Sequence, residues 1–407
     1  HLALSMESDQ MILKLKTVLN PHSDIFEDRP CEEGDFLDRL DVLPGVLNNI
    51  IQLLETAYKN ETNYFSQSRL ILEILKINAE NDSCQPWNND FIVNVTKNIN
   101  KLLCKLLDKP SIAEVLLLKE GNEFYFEIIL KYLQPSLTKS VWRRHVTAVH
   151  AFKWTVLQIT YPHLSKCLNI IFPVILTLLD DFVVANQIIG IEVTHHFLNN
   201  ALISELRAFN RIDVLLDGLK FLLVSRDSVL MDLLLPCLLK ALKVKSPSKM
   251  NFKNDQGFAE CIIESMLNSI ELATEINLKI SFLEVLPNYF EFYNQNLLVW
   301  CKRIVSILTQ LLQIQNTTLT IAALKATQSL LLHCWPCAEL YCTEVLKSIF
   351  KFIIDMANTG IEDAEVCIHI KSTLQTVDLL CPGILPKIRR EMKEINWPGA
   401  CYLEDFN

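Results

Sequence analysis

Glycine is scarce in this chain: 9 residues in 407, roughly 2% against a usual value of about 7%. Turns that need positive φ must then be few, which disfavours β-rich folds. The nine positions (Gly34, Gly45, Gly121, Gly190, Gly218, Gly257, Gly360, Gly383 and Gly399) also lie too far apart to write a Gly-x-Gly pair, a P-loop or a nucleophile elbow. Dinucleotide, kinase-type and α/β-hydrolase chemistry therefore has no backbone to work with. Charge is thin as well, at 21%, and 38 basic against 47 acidic residues leave a net of −9. That mild acidity argues against gripping nucleic-acid phosphates as the main role. The longest uncharged apolar run, from Cys167 to Leu179, contains Asn169 and Pro173 and stops at Asp180-Asp181. It falls short of the ~20 residues that cross a bilayer. No basic segment leads into an apolar stretch at the start, so a signal peptide is not expected, and His1 to Ser5 ahead of Met6 read as a cloning scar or a truncation.

What the chain has in quantity is apolar residues, 50% of the total with a mean hydropathy of +0.23, enough for a large core. Its 13 cysteines are odd in number and scattered from Cys31 to Cys401, which suits a reducing, cytoplasmic setting with mostly buried thiols. The sequons at Asn60, Asn81, Asn94 and Asn316 then read as chance. From residue 36 onward, helix-length apolar or amphipathic segments follow one another, separated by short polar turns. Pro236, Pro287, Pro336 and Pro386 recur 51, 49 and 50 residues apart, slightly above the ~40 to 47 of HEAT and armadillo repeats.

The clearest unit runs from Ser165 to Asn200: an apolar helix with Pro173, an Asp180-Asp181 corner, then a second helix through Gly190. An aspartate there is expected to cap the free N–H groups of the second helix. Further hairpins are drawn at about 123–160, 211–243, 257–293, 297–335 and 339–381. The predicted fold is all-α, a right-handed α-solenoid of HEAT/armadillo-like hairpins. Its parts are an N-terminal segment with an acidic loop (1–35), a continuous repeat (36–395) with loops at 78–90 and 244–256, and a tail (396–407).

Near 139–159 the stripe Val141, His145, Ala148, Val149, Phe152, Val156 and Ile159 faces inward and leaves Arg143 and Arg144 outward, as candidates for partner contact. Cys334-Trp335-Pro336-Cys337 has the spacing of a thiol oxidoreductase but follows an apolar helix with no βαβ unit around it. Adding His333 and Cys342 makes four soft zinc donors without a second Cys-x-x-Cys, so buried thiols at a repeat boundary are favoured. Glu192 and His195 have the Glu-x-x-His spacing of a di-iron bundle, which needs two such motifs; only one is present. His195 therefore reads as a core histidine, and Glu192 with His196 as a helix-surface pair. Two basic runs, Lys240, Lys243, Lys245, Lys249 and Lys253, then Lys387, Arg389, Arg390 and Lys393, hold a single aromatic, Phe252, and so lack the interleaved aromatics of base stacking. Neither nucleic acid nor membrane is an expected partner. The residues suggest a binding protein.

The stretches VWRRHVTAVHAFKW and FPVILTLLDDFVVANQIIGIEVTHHFLNN, between Val141 and about Leu242, carry a resemblance. Asp180-Asp181, Asn186, Gly190, His195-His196-Phe197-Leu198, and Asn210-Arg211 before Val214-Leu215 resemble the second Tel-two-interacting protein family, subunits of the Triple-T cochaperone complex. The family's repeats often place a basic residue after the aspartate turn, where this chain has Val183-Val184-Ala185, which weakens an Asp-to-Arg ladder. The resemblance implies a non-catalytic, cofactor-free scaffold, cytoplasmic and also nuclear. Its partners are Tel-two and the first Tel-two-interacting protein. Indirect partners are the ninety-kilodalton heat-shock chaperone, its RuvB-like ATPase cochaperone, and phosphatidylinositol-3-kinase-related kinases such as mTOR, ATM and ATR. Candidate contact residues are Arg143, Arg144, Asp180, Asp181, Asn186, Glu192, His196, Asn210 and Arg211. A HEAT-type transport receptor is the alternative.

Overall fold

The computed structural model describes residues 2–59, 69–246, 256–360, 363–392 and 397–404. The protein is all-α, a helical repeat of packed hairpins, with one short β-hairpin pairing Lys119–Glu120 and Glu123–Phe124. The chain divides into two compact units, His1–Ala208 and Phe209–Asn407.

The first unit holds α1 (Leu2–Val18), α2 (Leu37–Lys59), α3 (Arg69–Glu80), α4 (Asp90–Leu106), α5 (Ile112–Leu116), α6 (Tyr125–Leu133), α7 (Val146–Gln158), α8 (Leu168–Leu179), α9 (Val184–Asn200) and α10 (Ile203–Arg207). Helix α1 corrects the expectation that helices begin near residue 36: it packs on α2 and α3, and Leu15 is fully buried. The loop expected at 78–90 is present over 81–89; its start is later because α3 continues to Glu80, with Asn78 completely buried and its Nδ2 donating to Asn100 Oδ1 at 2.8 Å. Asn78 and Glu80 read as loop residues because their partners, Asn100 and Arg39, are distant in sequence. Arg39 donates to Val18 O (2.9 Å), Trp87 O (2.7 Å) and Glu80 Oε2 (2.8 Å), while Asn20 N donates to Glu80 Oε1 at 2.8 Å. One buried ion pair thus ties α1, α2, α3 and the following loop, with its remaining hydrogen-bonding capacity met by main chain. Helices α8 and α9 cross closely at Gly190, where a Cβ would meet Leu178 Cβ at 3.1 Å and Leu179 N at 3.2 Å.

The second unit holds α11 (Arg211–Phe221), α12 (Ser228–Lys245), α13 (Gln256–Leu272), α14 (Ile276–Tyr293), α15 (Cys301–Leu311), α16 (Thr317–His333), α17 (Ala338–Thr359), α18 (Ala364–Leu380) and α19 (Ile384–Met392). These hairpins follow the expected spacing closely. Helices α12, α14, α16 and α18 pack in a row, and α15 lies against α17. The buried face of α15, with Ile304, Val305, Leu308 and Leu311, shows the 3–4 spacing of a one-sided helix, whereas α16 buries residues nearly all round as an inner element must. Side chains donating to main-chain oxygens stitch the helices together, both between neighbouring hairpins and, for Tyr293, within the α13–α14 hairpin. The buried Tyr289 hydroxyl donates to Leu235 O (2.8 Å), Tyr293 to Ala259 O (2.5 Å) and Ser348 to Thr309 O (2.9 Å).

The proline period does not mark one structural position. Pro236 and Pro287 sit inside α12 and α14, Pro336 in a 3-10 turn and Pro386 in α19. Residues 247–255, with Lys249 and Lys253, and Lys393 lie outside the described residues, while Lys245 pairs with Asp213 at 2.7 Å. The expected tail packs instead: Trp397, Tyr402 and Leu403 are buried, and Trp397 meets the ring of Phe350 edge-on. Among the described residues no helix is long and apolar enough to cross a membrane.

Candidate functional site

The corner between α8 and α9 differs from its sequence reading. Val183 is the N-cap residue and makes no side-chain cap bond, and neither aspartate caps the helix. Asp181 turns inward instead. Its side chain is 0% exposed, with Oδ1 accepting from Arg143 Nη2 at 2.5 Å and Oδ2 from Asn186 Nδ2 at 2.7 Å. Its carbonyl accepts from Gln187 Nε2 at 2.6 Å, so the corner is held by side chains rather than by exposed N–H groups. Asp180 points the other way, 71% exposed and 3.5 Å from Lys139.

Arg143 is likewise not a free outward charge. It lies on a 3-10 turn, Trp142–Arg144, ahead of α7, and its guanidinium sits 4.6 Å from the ring centre of Phe182 and 5.5 Å from that of Trp142. An arginine can give its in-plane donors to a carboxylate while its faces lie against aromatic rings. The ladder weakened by Val183-Val184-Ala185 is supplied from 38 residues upstream, which spacing after the turn does not reveal. Arg144, also expected outward, is fastened to Asp24 (2.9 Å) and Glu27 (2.7 Å).

Two hollows flank this turn. One, of about 330 Å³, is lined by Glu27, Lys139, Trp142, Arg143, Thr177 and Asp180. The other, of about 270 Å³, has an aromatic wall of Phe26, Trp87, Trp142 and Phe182 with His150 and Asn186. His150 sits edge-on to Trp87 at 4.9 Å, and burial, with Lys153 nearby, pushes it down to about 4. Phe182 is 74% exposed at the mouth. Aromatic faces, a guanidinium held in place and carboxylates at the edge suit the side chains of a protein partner.

The remaining candidates separate. Glu192 pairs with Lys153 rather than His196, and His196 Nε2 lies 2.7 Å from Ile159 O, so both fasten α9 to α7. His195 is half-buried rather than in the core. Asn210 is left-handed (φ 55°) ahead of α11, and Arg211 lies over Phe209 at 5.1 Å; both belong to the second unit. Sequence reasoning missed Phe182, Trp142 and Glu27. An aromatic beside each charged pair, Trp142 before Arg143-Arg144 and Phe182 after Asp180-Asp181, was the available signal.

The cysteines also need correction. Cys334 is bonded to Cys301 and not paired with Cys337, a half-buried free thiol, and His333 Nδ1 is occupied at 2.8 Å from Ser329 O. Among the free thiols, Cys167, Cys237 and Cys342 are buried, Cys84 and Cys401 are exposed, and the rest are half-buried. Among the described residues no group of three or more His, Cys, Asp and Glu side chains is placed to hold a metal ion.

Comparison with known proteins places this corner in context. Residues 131–319 match the profile of the Tti2 family. TELO2-interacting protein 2 of Rattus norvegicus is 25% identical over 289 residues, covering 69% of this chain and 56% of the rat protein. The Mus musculus protein of that name is 26% identical over 71% of this chain and 57% of its own length. The Homo sapiens protein is 26% identical over 67% and 55%. The chain spans a little over half the length of the curated relatives it matches. The buried Asp181, its Arg143 partner and the Gly190 crossing all fall inside residues 131–319, the stretch over which this chain is similar to the Tti2 family.

Proposed function

We propose that this chain is a non-catalytic scaffold of the Triple-T cochaperone complex, binding Tel-two and the first Tel-two-interacting protein. In this reading it supports maturation of phosphatidylinositol-3-kinase-related kinases such as mTOR, ATM and ATR, with the ninety-kilodalton heat-shock chaperone and the RuvB-like ATPase cochaperone acting downstream in the cytoplasm and nucleus. The observation that carries the reading is the family match over residues 131–319, which includes the arginine-aromatic corner, together with relatives named for interaction with TELO2. Packed hairpins offer the extended side-chain surface that such a scaffold needs.

The test has two readouts. Phe182→Ala removes an exposed ring, so the fold is expected to persist while recovery of Tel-two or the first Tel-two-interacting protein in a pull-down falls. Full recovery by the variant removes this corner from the interface. Depleting the protein is expected to lower mTOR, ATM and ATR together on immunoblots, at constant transcript levels. Unchanged kinase amounts after several turnover times refute the maturation role, and relocalised cargo at constant total amount supports a transport receptor instead.

A further inference from the structure

The second unit carries a groove unrelated to that corner. Its volume is about 580 Å³, and its walls come from the α11–α12 and α13–α14 hairpins. The link after α11 is a 3-10 turn, Leu222–Val224, in which Leu222 and Leu223 are buried while Phe221 and Val224 turn out, 68% and 76% exposed. At the end of α13, Leu272 faces the same groove at 73% exposure. Single exposed apolar residues are ordinary. Three large ones lining one concavity of this size make a seat for two or three side chains of a partner.

The polar wall narrows the choice of occupant. The one Ser269 hydroxyl hydrogen is shared between Ser265 O at 2.9 Å and Leu223 O at 3.2 Å, and Ser265 donates to Cys261 O, so these hydroxyl hydrogens are already used inside the unit. Arg303 donates to both Asn268 Oδ1 and Glu271, which offsets that carboxylate and leaves the Asn268 amide nitrogen available. Around the groove Lys220 and exposed Arg226 then stand against exposed Asp217, an excess of one positive charge. The groove is bordered by α11, α13, the 3-10 turn Leu222–Val224 and the link through Arg226, with no β-strand among its lining residues for a partner strand to extend. Phe221 is the single aromatic among the lining residues, where a polyproline segment docks on a row of aromatics, so the mode that fits a groove of aliphatic and one aromatic side chains is a helix laid in by its apolar face.

We propose that this groove binds an amphipathic helix of a partner protein. The helix presents two or three leucine- or phenylalanine-sized side chains along one face and a carboxylate beside them to meet Arg226. The proposal rests on the interaction-protein reading only for the class of partner.

The probe is a fluorescein-labelled 18-residue helical peptide with leucines at i, i+4 and i+7 and flanking glutamates, titrated by anisotropy into the full chain. Controls are a scrambled peptide, a lysine-flanked version and a version with a central proline. The glutamate peptide is expected to bind at least about tenfold more tightly than the scrambled and proline versions. Leu272→Glu is expected to weaken it by a similar factor. Arg226→Glu is expected to reverse the preference between glutamate and lysine flanks. Circular dichroism confirms the variants' fold, which exposed positions should tolerate. Equal binding of the scrambled or proline peptide, or indifference to Leu272→Glu or Arg226→Glu, overturns the proposal. Recovery of Tel-two by the same variants reads the scaffold function separately, so either idea can fail without the other.

Discussion

Removing either partner of the Arg143–Asp181 pair should not be equivalent, because the two sit in different surroundings. The Asp181 side chain is 0% exposed and that of Arg143 38% exposed. Arg143→Ala leaves a buried carboxylate with one neutral donor, Asn186, and breaking a buried pair this way costs about 3–5 kcal/mol. Asp181→Ala leaves a guanidinium that can turn to water, so the loss is a charge-assisted hydrogen bond, about 1.5–3 kcal/mol. Asp180→Ala, removing an exposed pair, should cost under about 1 kcal/mol. Hydrogen exchange followed by mass spectrometry on α8 and α9 measures local opening directly. At about 1.4 kcal/mol per tenfold, Arg143→Ala should lower protection by roughly two to three and a half decades and Asp181→Ala by roughly one to two. The double variant should be milder than Arg143→Ala alone, since no buried charge remains. An Asp181→Ala defect as large as that of Arg143→Ala, or a double variant worse than either, refutes the argument.

Two further outcomes follow from the same unit. His150 is held below its unfolded value of 6.5, at about 4, so protonation favours the unfolded chain. The stability it contributes is complete above pH 6.5 and is lost as pH falls toward 4, at up to about 1.4 kcal/mol per pH unit. Urea titrations across that range should show a slope in the first unit that His150→Phe reduces, and an unchanged slope contradicts the burial of this ring. Gly190→Ala forces α8 and α9 apart at contacts of 3.1–3.2 Å and should cost about 1–3 kcal/mol, read as a lower melting temperature; an unchanged melt shows that the crossing yields freely.

Periodicity carried most of the fold. The second-unit hairpins begin and end near where apolar spacing puts them, because each buries a stripe against its sequence neighbours. It failed where stability comes from polar groups far apart in the chain: Arg39 and Glu80, Arg144 and Glu27, Arg143 and Asp181. The inward stripe of α7 was legible from Ala148 to Ile159, whereas the turn before it was not. A 3-10 turn does not continue the 100° progression, so Arg143 and Arg144 fell on the wrong side of the projection. Asp181 was singled out correctly and assigned the wrong work, since a corner aspartate reads as a cap until an arginine 38 residues away is known to reach it.

The stitching of the second unit bears on how the chain is made. Tyr293 reaches back 34 residues to Ala259 and Tyr289 reaches 54 to Leu235, so each helix pair leaving the ribosome finds its docking surface already synthesised. That unit can grow on the nascent chain one hairpin at a time, with short loops to close at each step. The first unit cannot. Asp24 and Glu27 wait for Arg144, and Asn20 waits for Ser136, so its N-terminal helices emerge more than a hundred residues before their last partners. During synthesis it is this half that passes through the longer interval with apolar surface uncovered, and destabilising changes there should raise its demand for chaperone holding more than equal changes in the second unit.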